Sequence, residues 1–448
     1  MSMLSSRFLF IRLIWFSVIL LSLFCGQSKA KAISPAVREN VVRQDTVSYD
    51  KIGRLGNGIL LVEHDVHLNG SVCVLPKGMT LRSNGGTLKN GTIIGHDTKI
   101  VGKDVLFDKV RIEGTWVVPD ISTKMFADLS YENALRDVAA LANPKVQNRI
   151  RIEKGDYIVA ARKNGDVCIP LVSNTDVVMN GTVRLLPNSY KSYSIIQMKG
   201  RNIHLSGKGS IIGDKHTHTG STGEWGMGIR FSGAVDSSVK RLTIKDCWGD
   251  CMYVGGNSRN ILIEHCLLDH GRRQGISITK AKGVTIRHCI ISNVGGKNPQ
   301  YAIDLEPNKG DTVTKIVIEK VEVKGCEGGI LATKPSAKQD TLKTSKIGDI
   351  VIRDCKIAVL SKYPLNLKGS ESALVERCTI SSANSNPSVY IRNVNHTIVR
   401  NNTISFNKTI LRSAENHIRA ALGKQELKPI TIIRSKTKQV TNNKLIEQ

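Results

Sequence analysis

The sequence has 448 residues and a formal net charge of +26 at pH 7, with 39 glycines and only 5% aromatic residues. This length could hold two or three ordinary domains, but solenoids of this size also form single units with aliphatic cores. After the first segment, no apolar run approaches the ~20 residues that a membrane-spanning helix requires, so we expect no membrane span.

The N-terminal segment has the pattern of an export signal. Arg7 and Arg12 flank an apolar run that extends through Phe24, and small residues suited to cleavage follow. We therefore predict a signal peptide over residues 1–32 and an exported protein that is periplasmic, on the cell surface or secreted. Cys25 leaves lipidation open as an alternative, although Phe24 is a poor residue to precede a lipidated cysteine.

The positive charge has two interpretations. One is attraction to a polyanion, which for an exported protein means an acidic polysaccharide before nucleic acid. The other is a solvated basic surface that keeps the protein soluble. Because Lys and Arg are dispersed along the chain rather than clustered, the charge alone does not decide between them.

Residues 33–127 form a first region of short strands separated by Gly and Asn turns, a pattern typical of β-helical or β-sandwich folds. Within residues 128–142, apolar residues recur at helical spacing, as Ala134, Leu135 and Val138 illustrate. We predict a β-rich N-terminal region followed by a helix that caps a solenoid. Without a cap, the terminal rung would expose its core and its strand edge.

Similar strand phrases then recur and end in a cysteine, at Cys247, Cys266, Cys289, Cys355 and Cys378. Asn401 takes the same place in the phrase Thr-Ile-Val-Arg-Asn. Repeats of about 20–25 residues with polar turns indicate a parallel β-helix. We predict an all-β fold, a right-handed single-stranded parallel β-helix over residues 128–448, whose cysteines form an interior ladder of free thiols.

Four phrases, which begin at Glu224, Trp248, Arg272 and Tyr301, lie about one rung apart. Alternation along the last strand places Asp304 and Glu306 together on the outer face, about 7 Å apart along the strand. Rungs stack about 4.8 Å apart, so the charged and aromatic residues of these phrases should form one patch.

Two carboxylates on one face, about 5–10 Å apart, are what glycoside hydrolysis requires. We predict catalytic roles for Asp250, Asp304, Glu306 and Arg273. The predicted substrate-binding residues are Glu224, Trp225, Arg230, Trp248, Tyr253, Arg272, Gln274 and Tyr301, which supply stacking faces and charged or polar groups. The chemistry requires no cofactor, and no metal site is predicted. The competing interpretation is that these are solvated strand residues and turn caps that pair with one another.

The phrases Gly249-Asp-Cys-Met-Tyr-Val-Gly-Gly, Arg272-Arg-Gln-Gly-Ile-Ser-Ile and Ala302-Ile-Asp-Leu-Glu-Pro-Asn resemble the pectin-lyase-like right-handed β-helix superfamily. They look most like secreted and prophage β-helix repeat proteins of Bacteroidota. The chain is also similar to polygalacturonase-type glycoside hydrolases. Asp250 stands where that family has the first Asp of Gly-Asp-Asp, and Cys251 replaces the second. Arg273 and Gln274 stand in place of Gly-His-Gly, and Asp304 lies near the position of Arg-Ile-Lys.

We therefore expect an exported enzyme that hydrolyses a polysaccharide, and an acidic one if the charge serves attraction. Two other classes remain open. A lyase or C5-epimerase acting on uronic acids would hold Ca²⁺ with the same carboxylates and use Arg273 or Lys280 as its base. A non-catalytic glycan-binding β-helix, such as an adhesin or a prophage fibre, would bind without releasing products. The sequence gives no prediction of oligomeric state.

Overall fold

The computed structural model describes the backbone of residues 39–42 and all of residues 58–102, 105–335, 344–382, 384–407 and 428–447. The predicted signal peptide and Cys25 lie outside the described residues. Within these ranges, no helix has the length and apolar character that crossing a bilayer demands.

The described chain consists almost wholly of strands, and every pairing between them is parallel. In chain order they are β1 (Glu39–Val42), β2 (Ile59–Val62), β3 (Val66–His67), β4 (Val72–Val74), β5 (Thr80–Ser83), β6 (Leu88–Val101), β7 (Phe107–Val117), β8 (Asp120–Ser122), β9 (Asn148–Ile152), β10 (Asp156–Val159), β11 (Asp166–Leu171), β12 (Thr175–Met179), β13 (Thr182–Leu185), β14 (Ser192–Met198), β15 (Ile203–Gly207), β16 (Ser210–Ile212), β17 (Trp225–Ser232), β18 (Val235–Lys240), β19 (Thr243–Lys245), β20 (Met252–Gly255), β21 (Ser258–Glu264), β22 (Leu267–Asp269), β23 (Gln274–Ile278), β24 (Ala281–Arg287), β25 (Ile290–Ser292), β26 (Tyr301–Leu305), β27 (Thr312–Glu319), β28 (Glu322–Cys326), β29 (Gly328–Ala332), β30 (Lys346–Arg353), β31 (Lys356–Val359), β32 (Leu365–Lys368), β33 (Ser370–Glu376), β34 (Thr379–Ser382), β35 (Val389–Arg392), β36 (His396–Arg400), β37 (Thr403–Phe406), β38 (Ile430–Ile433), β39 (Thr437–Thr441) and β40 (Lys444–Glu447).

The strands from β8 onward form three long sheets in which each turn of the chain adds one strand to each sheet. Sheet 1 contains β8 and every third strand from β9 to β39, sheet 2 every third strand from β10 to β40, and sheet 3 every third strand from β11 to β38. Strands β1 to β7 form a separate sheet in which the 14-residue β6 pairs with β3, β4, β5 and β7. This architecture confirms the predicted parallel β-helix with a β-rich N-terminal region.

The predicted helix is confirmed but shorter, as α1 (Ala134–Ala140), preceded by a 3-10 turn at Thr123–Met125. The helix packs against β7, β10 and β11. Because β10 and β11 are the first strands of sheets 2 and 3, α1 covers the N-terminal edge of the β-helix. The predicted boundary at residue 128 falls between the 3-10 turn and α1.

The turn from sheet 1 to sheet 2 corrects the register of the predicted cysteine ladder. Each sheet 1 strand from β18 onward is followed by one residue in the left-handed conformation, such as His265, Arg377 or Asn401. The next residue points inward and stacks with its counterparts on other rungs, as Cys266, Cys289, Cys355, Cys378 and Asn402 do. Asn402 therefore takes the ladder position that we predicted for Asn401.

Cys247 also lies outside that ladder. It follows the left-handed residue Asp246 at the turn from sheet 2 to sheet 3, where Cys326 follows Gly325 in the same way. The two turns look alike in sequence because both place one left-handed residue before one inward apolar residue. Every cysteine in the described ranges is free and buried, which confirms that these thiols belong to the core.

Candidate functional site

The predicted site lies on the outer face of sheet 3. The strand register places Arg230, Tyr253, Ser277 and Asp304 directly opposite one another on β17, β20, β23 and β26. The alternate residues, such as Ile303 and Leu305, point into the core. Because the rungs are in register, residues far apart in the chain form one continuous outer row.

Arg273 connects the predicted catalytic carboxylates. Its Nη1 lies 3.4 and 3.3 Å from the two carboxylate oxygens of Asp250, and its Nη2 donates to Oε1 of Glu306 at 2.7 Å. The Ser277 hydroxyl donates to Oδ2 of Asp250 at 2.6 Å. The side chain of Arg273 is only 11% exposed, that of Asp250 is fully buried and that of Glu306 is 26% exposed. Glu306 is therefore the carboxylate of this network that solvent reaches.

Asp304 lies beneath this network and is completely buried. Its Oδ2 accepts a hydrogen bond from Nε2 of Gln274 at 2.6 Å, while its Oδ1 has no hydrogen-bond partner as a carboxylate. Oε1 of Gln274 in turn accepts from the Tyr301 backbone N–H at 2.7 Å. Gln274 and Tyr301, both predicted to bind substrate, are thus placed under the surface, where they support Asp304.

Burial sets the protonation of the carboxylates. Burial raises the pKa of Asp250 to about 7, against the opposing effects of the Arg273 cation and the Ser277 hydroxyl. Burial, followed by the charge of Glu306, raises the pKa of Asp304 well above its ordinary value, and a hydrogen bond with Glu306 adds to this. The raised pKa favours the protonated form of the buried Asp304.

Arg273 remains a cation. Burial lowers its pKa, but the nearby Asp250 and Glu306 carboxylates outweigh burial and raise the pKa above its ordinary value. The network consequently combines one fixed positive charge with one exposed carboxylate and two buried acids.

A pocket of about 450 Å³ opens beside this network on the side of the earlier rungs. Its lining consists of Ser192, Glu224, Trp225, Met227, Arg230, Tyr253, Arg273, Thr279, Glu306 and Asn308. Glu224 and Glu306 are the two acids in that lining, and Trp225 is 50% exposed. The structure thus brings Glu224, Trp225, Arg230 and Tyr253 together with Arg273 and Glu306, as expected if they share one site.

Arg272 and Trp248 are placed differently. Arg272 donates from Nε to the Trp248 carbonyl at 2.7 Å and from Nη2 to the Gly223 carbonyl at 2.6 Å. Its guanidinium carbon lies 3.5 Å from the centre of the Trp248 ring, and His218 stacks on this tryptophan with 3.9 Å between ring centres. These contacts pack Arg272 against Trp248, and together the two residues support the segment that contains Glu224 and Trp225.

Sequence reasoning left out four residues of the pocket lining, namely Ser192, Met227, Thr279 and Asn308. Asn308 lies two residues beyond Glu306, so the alternation of β26 could have indicated it. Ser192 and Met227 lie on earlier rungs, and Ser192 pairs with Trp225 in the strand register. Both are strand residues of sheet 3, so their proximity to the site follows from the register between rungs, which the sequence alone does not fix.

A second polar cluster surrounds the carboxylate of Asp214, which is buried. It accepts hydrogen bonds from the Tyr193 hydroxyl and from Asn188, and it contacts Nδ1 of His218 at 2.7 Å. His216, by contrast, is exposed beside Asp246. Among the described residues, no group of three or more His, Cys, Asp or Glu side chains is arranged to hold a metal ion.

Comparison with known proteins identifies relatives of the repeating region. A family model described as "Right handed beta helix region" matches residues 162–342 and 342–445. The uncharacterized protein YclG of Bacillus subtilis (strain 168) is 32% identical over 182 residues, which cover 34% of this chain and 31% of YclG. The SPbeta prophage-derived uncharacterized protein YorA of the same strain is 27% identical over 188 residues, which cover 35% of this chain and 32% of YorA.

The matched segments thus span about a third of the length of each of these two relatives. Among solved structures, the A-module of the mannuronan C-5 epimerase AlgE6 of Azotobacter vinelandii aligns with 73% of this chain and 96% of that module. The identity is 11% and the TM-score is 0.49.

Proposed function

This chain belongs to the right-handed β-helix family, and from the site on sheet 3 we propose that it is an exported enzyme that hydrolyses glycosidic bonds in a polysaccharide. The observation that carries the proposal is that Glu306, bound by the Arg273 cation at 2.7 Å, lines one open pocket together with Glu224. Hydrolysis requires a proton donor at the leaving oxygen and a second carboxylate near the attacking water.

In this proposal, Glu306 is the carboxyl group that contacts the substrate. Asp304 is buried, and its raised pKa favours a protonated carboxyl that would supply a proton through Glu306 to the glycosidic oxygen as the bond to the anomeric carbon breaks. Arg273 orients Glu306 through the hydrogen bond of 2.7 Å. Asp250 and Ser277 hold Arg273 from below and do not contact the substrate.

Glu224 is the group that we propose for the second role. It is the other acid in the pocket lining, and the stacked Arg272 and Trp248 support the loop that carries it. As a carboxylate it would take the proton from the attacking water or attack the anomeric carbon directly. This assigns to Glu224 a catalytic role, whereas the sequence pattern suggested substrate binding.

Elimination and epimerisation need an unprotonated base to remove the C5 proton, and the contacts of the two basic residues expected in that role, Arg273 and Lys280, do not favour this state. Arg273 is held as a cation by two carboxylates, and Lys280 forms an ion pair with Asp311 at 2.9 Å. Neither side chain is therefore poised to accept a proton.

The test is incubation of the purified protein with a panel of acidic and neutral polysaccharides, with and without Ca²⁺. New reducing ends and the ultraviolet absorbance of unsaturated products are both measured. We expect reducing ends without absorbance, and a loss of about 100-fold or more in the Glu306→Gln variant. Glu371→Gln, a carboxylate with 58% exposure on sheet 1, is the matched control and should be fully active.

The other outcomes separate the alternatives. Absorbing products, or activity that depends on Ca²⁺, would replace hydrolysis with a lyase or epimerase mechanism. Binding to a polysaccharide that is unchanged in Glu306→Gln, with no product from the wild type, would make this a glycan-binding β-helix.

A further inference from the structure

Three basic side chains lie together on the outer face of sheet 3, on the side of the catalytic network away from the pocket. Lys368 on β32 and Arg392 on β35 stand directly opposite each other in adjacent rungs. Lys334 follows β29, and its side chain lies over Gly369, so that a Cβ added there would be 2.9 Å from Cε of the lysine. We call Lys368 and Arg392 the basic pair.

The basic pair has no acidic neighbour within the described residues. Neither side chain forms an ion pair or a side-chain hydrogen bond there. Nζ of Lys368 lies 5.6 Å from the centre of the Tyr390 ring, and Nε of Arg392 is buried without a partner. Burial, followed by the charge of Arg392, lowers the pKa of Lys368. Two adjacent cations that are partly removed from water and not neutralised are unfavourable without an anion.

Two arginines at similar positions along the axis on sheet 1 each have an acidic partner, unlike Arg392. Arg353 pairs with Glu319, and Arg400 pairs with Glu376, each on the neighbouring rung. On these rungs of sheet 1, a carboxylate therefore accompanies each of these two half-buried guanidinium groups. The lack of such a partner for Arg392 points to a ligand.

The register gives the position of the basic pair relative to the catalytic network. Leu305 pairs with Ala332, and Ala332 pairs with Leu367, so Lys368 lies two rungs beyond Glu306 in the same outward row. Arg392 lies one rung further. With about 4.8 Å between rungs, the two cations lie roughly 10 and 14 Å along the axis from Glu306.

We propose that the basic pair is a binding subsite for an anionic group, a carboxylate or a sulfate ester, on a sugar unit of the substrate beyond the cleavage point. A guanidinium offers a planar fork of donors to such a group, and the adjacent ammonium adds a second charge. The proposal rests on the proposed function, because it takes a polysaccharide as the ligand. It predicts that the substrate is an acidic polysaccharide, which lies along sheet 3 when bound.

The test measures binding and cleavage separately. Binding is measured by isothermal titration with oligosaccharides that carry carboxylates (oligogalacturonate and oligomannuronate), sulfate esters (chondroitin sulfate fragments) or no charge (xylo-oligosaccharides). The background is Glu306→Gln, which prevents turnover. In this background, Lys368→Gln with Arg392→Gln should weaken binding of one acidic class about 10- to 100-fold and leave neutral binding unchanged. Lys346→Gln with Lys356→Gln removes the same charge from exposed positions on sheets 1 and 2 and should have no effect.

Each outcome decides the proposal. Equal binding in both double variants, or an absence of binding to every acidic oligosaccharide, would overturn it. Acidic binding that depends on the basic pair, without cleavage by the wild type, would support the subsite and overturn the hydrolase. Cleavage of neutral chains alone would support the hydrolase and overturn the subsite. Whether carboxylate or sulfate ligands respond identifies the anionic group.

Discussion

Gln274 donates a hydrogen bond of 2.6 Å to Asp304 across adjacent rungs of sheet 3, and both side chains are fully buried. The amide thus contacts an acid whose pKa is raised by burial and by the charge of Glu306. In water, Asp304 would ionise at an ordinary pKa. Gln274 is an uncharged donor, so it satisfies one carboxyl oxygen of Asp304 without the positive charge that would lower its pKa further.

Gln274→Ala should destabilise the protein. It would leave Asp304 and the Tyr301 backbone N–H without partners in a buried site, at a cost of about 2–3 kcal/mol in unfolding free energy. Urea denaturation would measure the change. Gln439→Ala, on an exposed strand position, is the control and should change stability by no more than about 0.5 kcal/mol. Equal effects of the two substitutions would contradict the assigned role of Gln274.

Arg273→Met should be more damaging, because it leaves Asp250 and Glu306 without their cation. Removing one partner of a buried pair costs about 3–5 kcal/mol. Adding Asp250→Asn to Arg273→Met should recover part of that loss, as a double-mutant cycle would show. For comparison, Arg353→Met removes a half-exposed surface ion pair with Glu319 and should cost about 1 kcal/mol or less. Additive losses in the cycle would show that Asp250 and Arg273 do not interact.

The raised pKa of Asp250 predicts a pH dependence of stability. The carboxyl of the unfolded chain ionises near its ordinary value of 3.8, whereas folded Asp250 ionises at about pH 7. Between these values the unfolded state loses its proton first, so unfolding becomes more favourable as the pH rises. The stabilising contribution is complete below about pH 4 and is lost through about pH 7.

Asp250→Asn should remove this dependence. Between pH 4 and pH 7, the unfolding free energy of the variant should increase relative to that of the wild type, by on the order of a few kcal/mol. Parallel curves for the two proteins over this range would show that Asp250 titrates at an ordinary pKa in the folded state.

The corrected ladder register also has a measurable consequence. Asn402 accepts the buried Cys378 N–H at 2.9 Å and donates to the Val375 carbonyl at 3.1 Å, so Asn402→Leu should cost about 1–3 kcal/mol. Asn401 has a φ of 57°, which glycine adopts readily, so Asn401→Gly should be nearly neutral. Thermal and urea unfolding would compare the two. A larger loss of stability in Asn401→Gly than in Asn402→Leu would instead support the register that we predicted from the sequence.

The sequence by itself determined the repeating architecture and the side of each strand that faces outward. A residue period near 23 and strict alternation in strands such as Tyr301–Leu305 are local properties, and they are enough to place Asp304 outside and Ile303 inside. The resemblance to β-helix proteins pointed to the same fold. The capping helix was equally visible, because its apolar spacing involves consecutive turns of one segment.

Only the tertiary structure decided which outward residues meet and how far each is buried. The two turn types share one local pattern, so Cys247 and Asn401 were assigned to the wrong stack. Exposure depends on neighbouring rungs and loops, which bury Asp250 and Asp304 and enclose Trp248 between Arg272 and His218. Burial in turn fixes protonation, because the cost of charging a carboxyl depends on all the groups around it and not on its own strand.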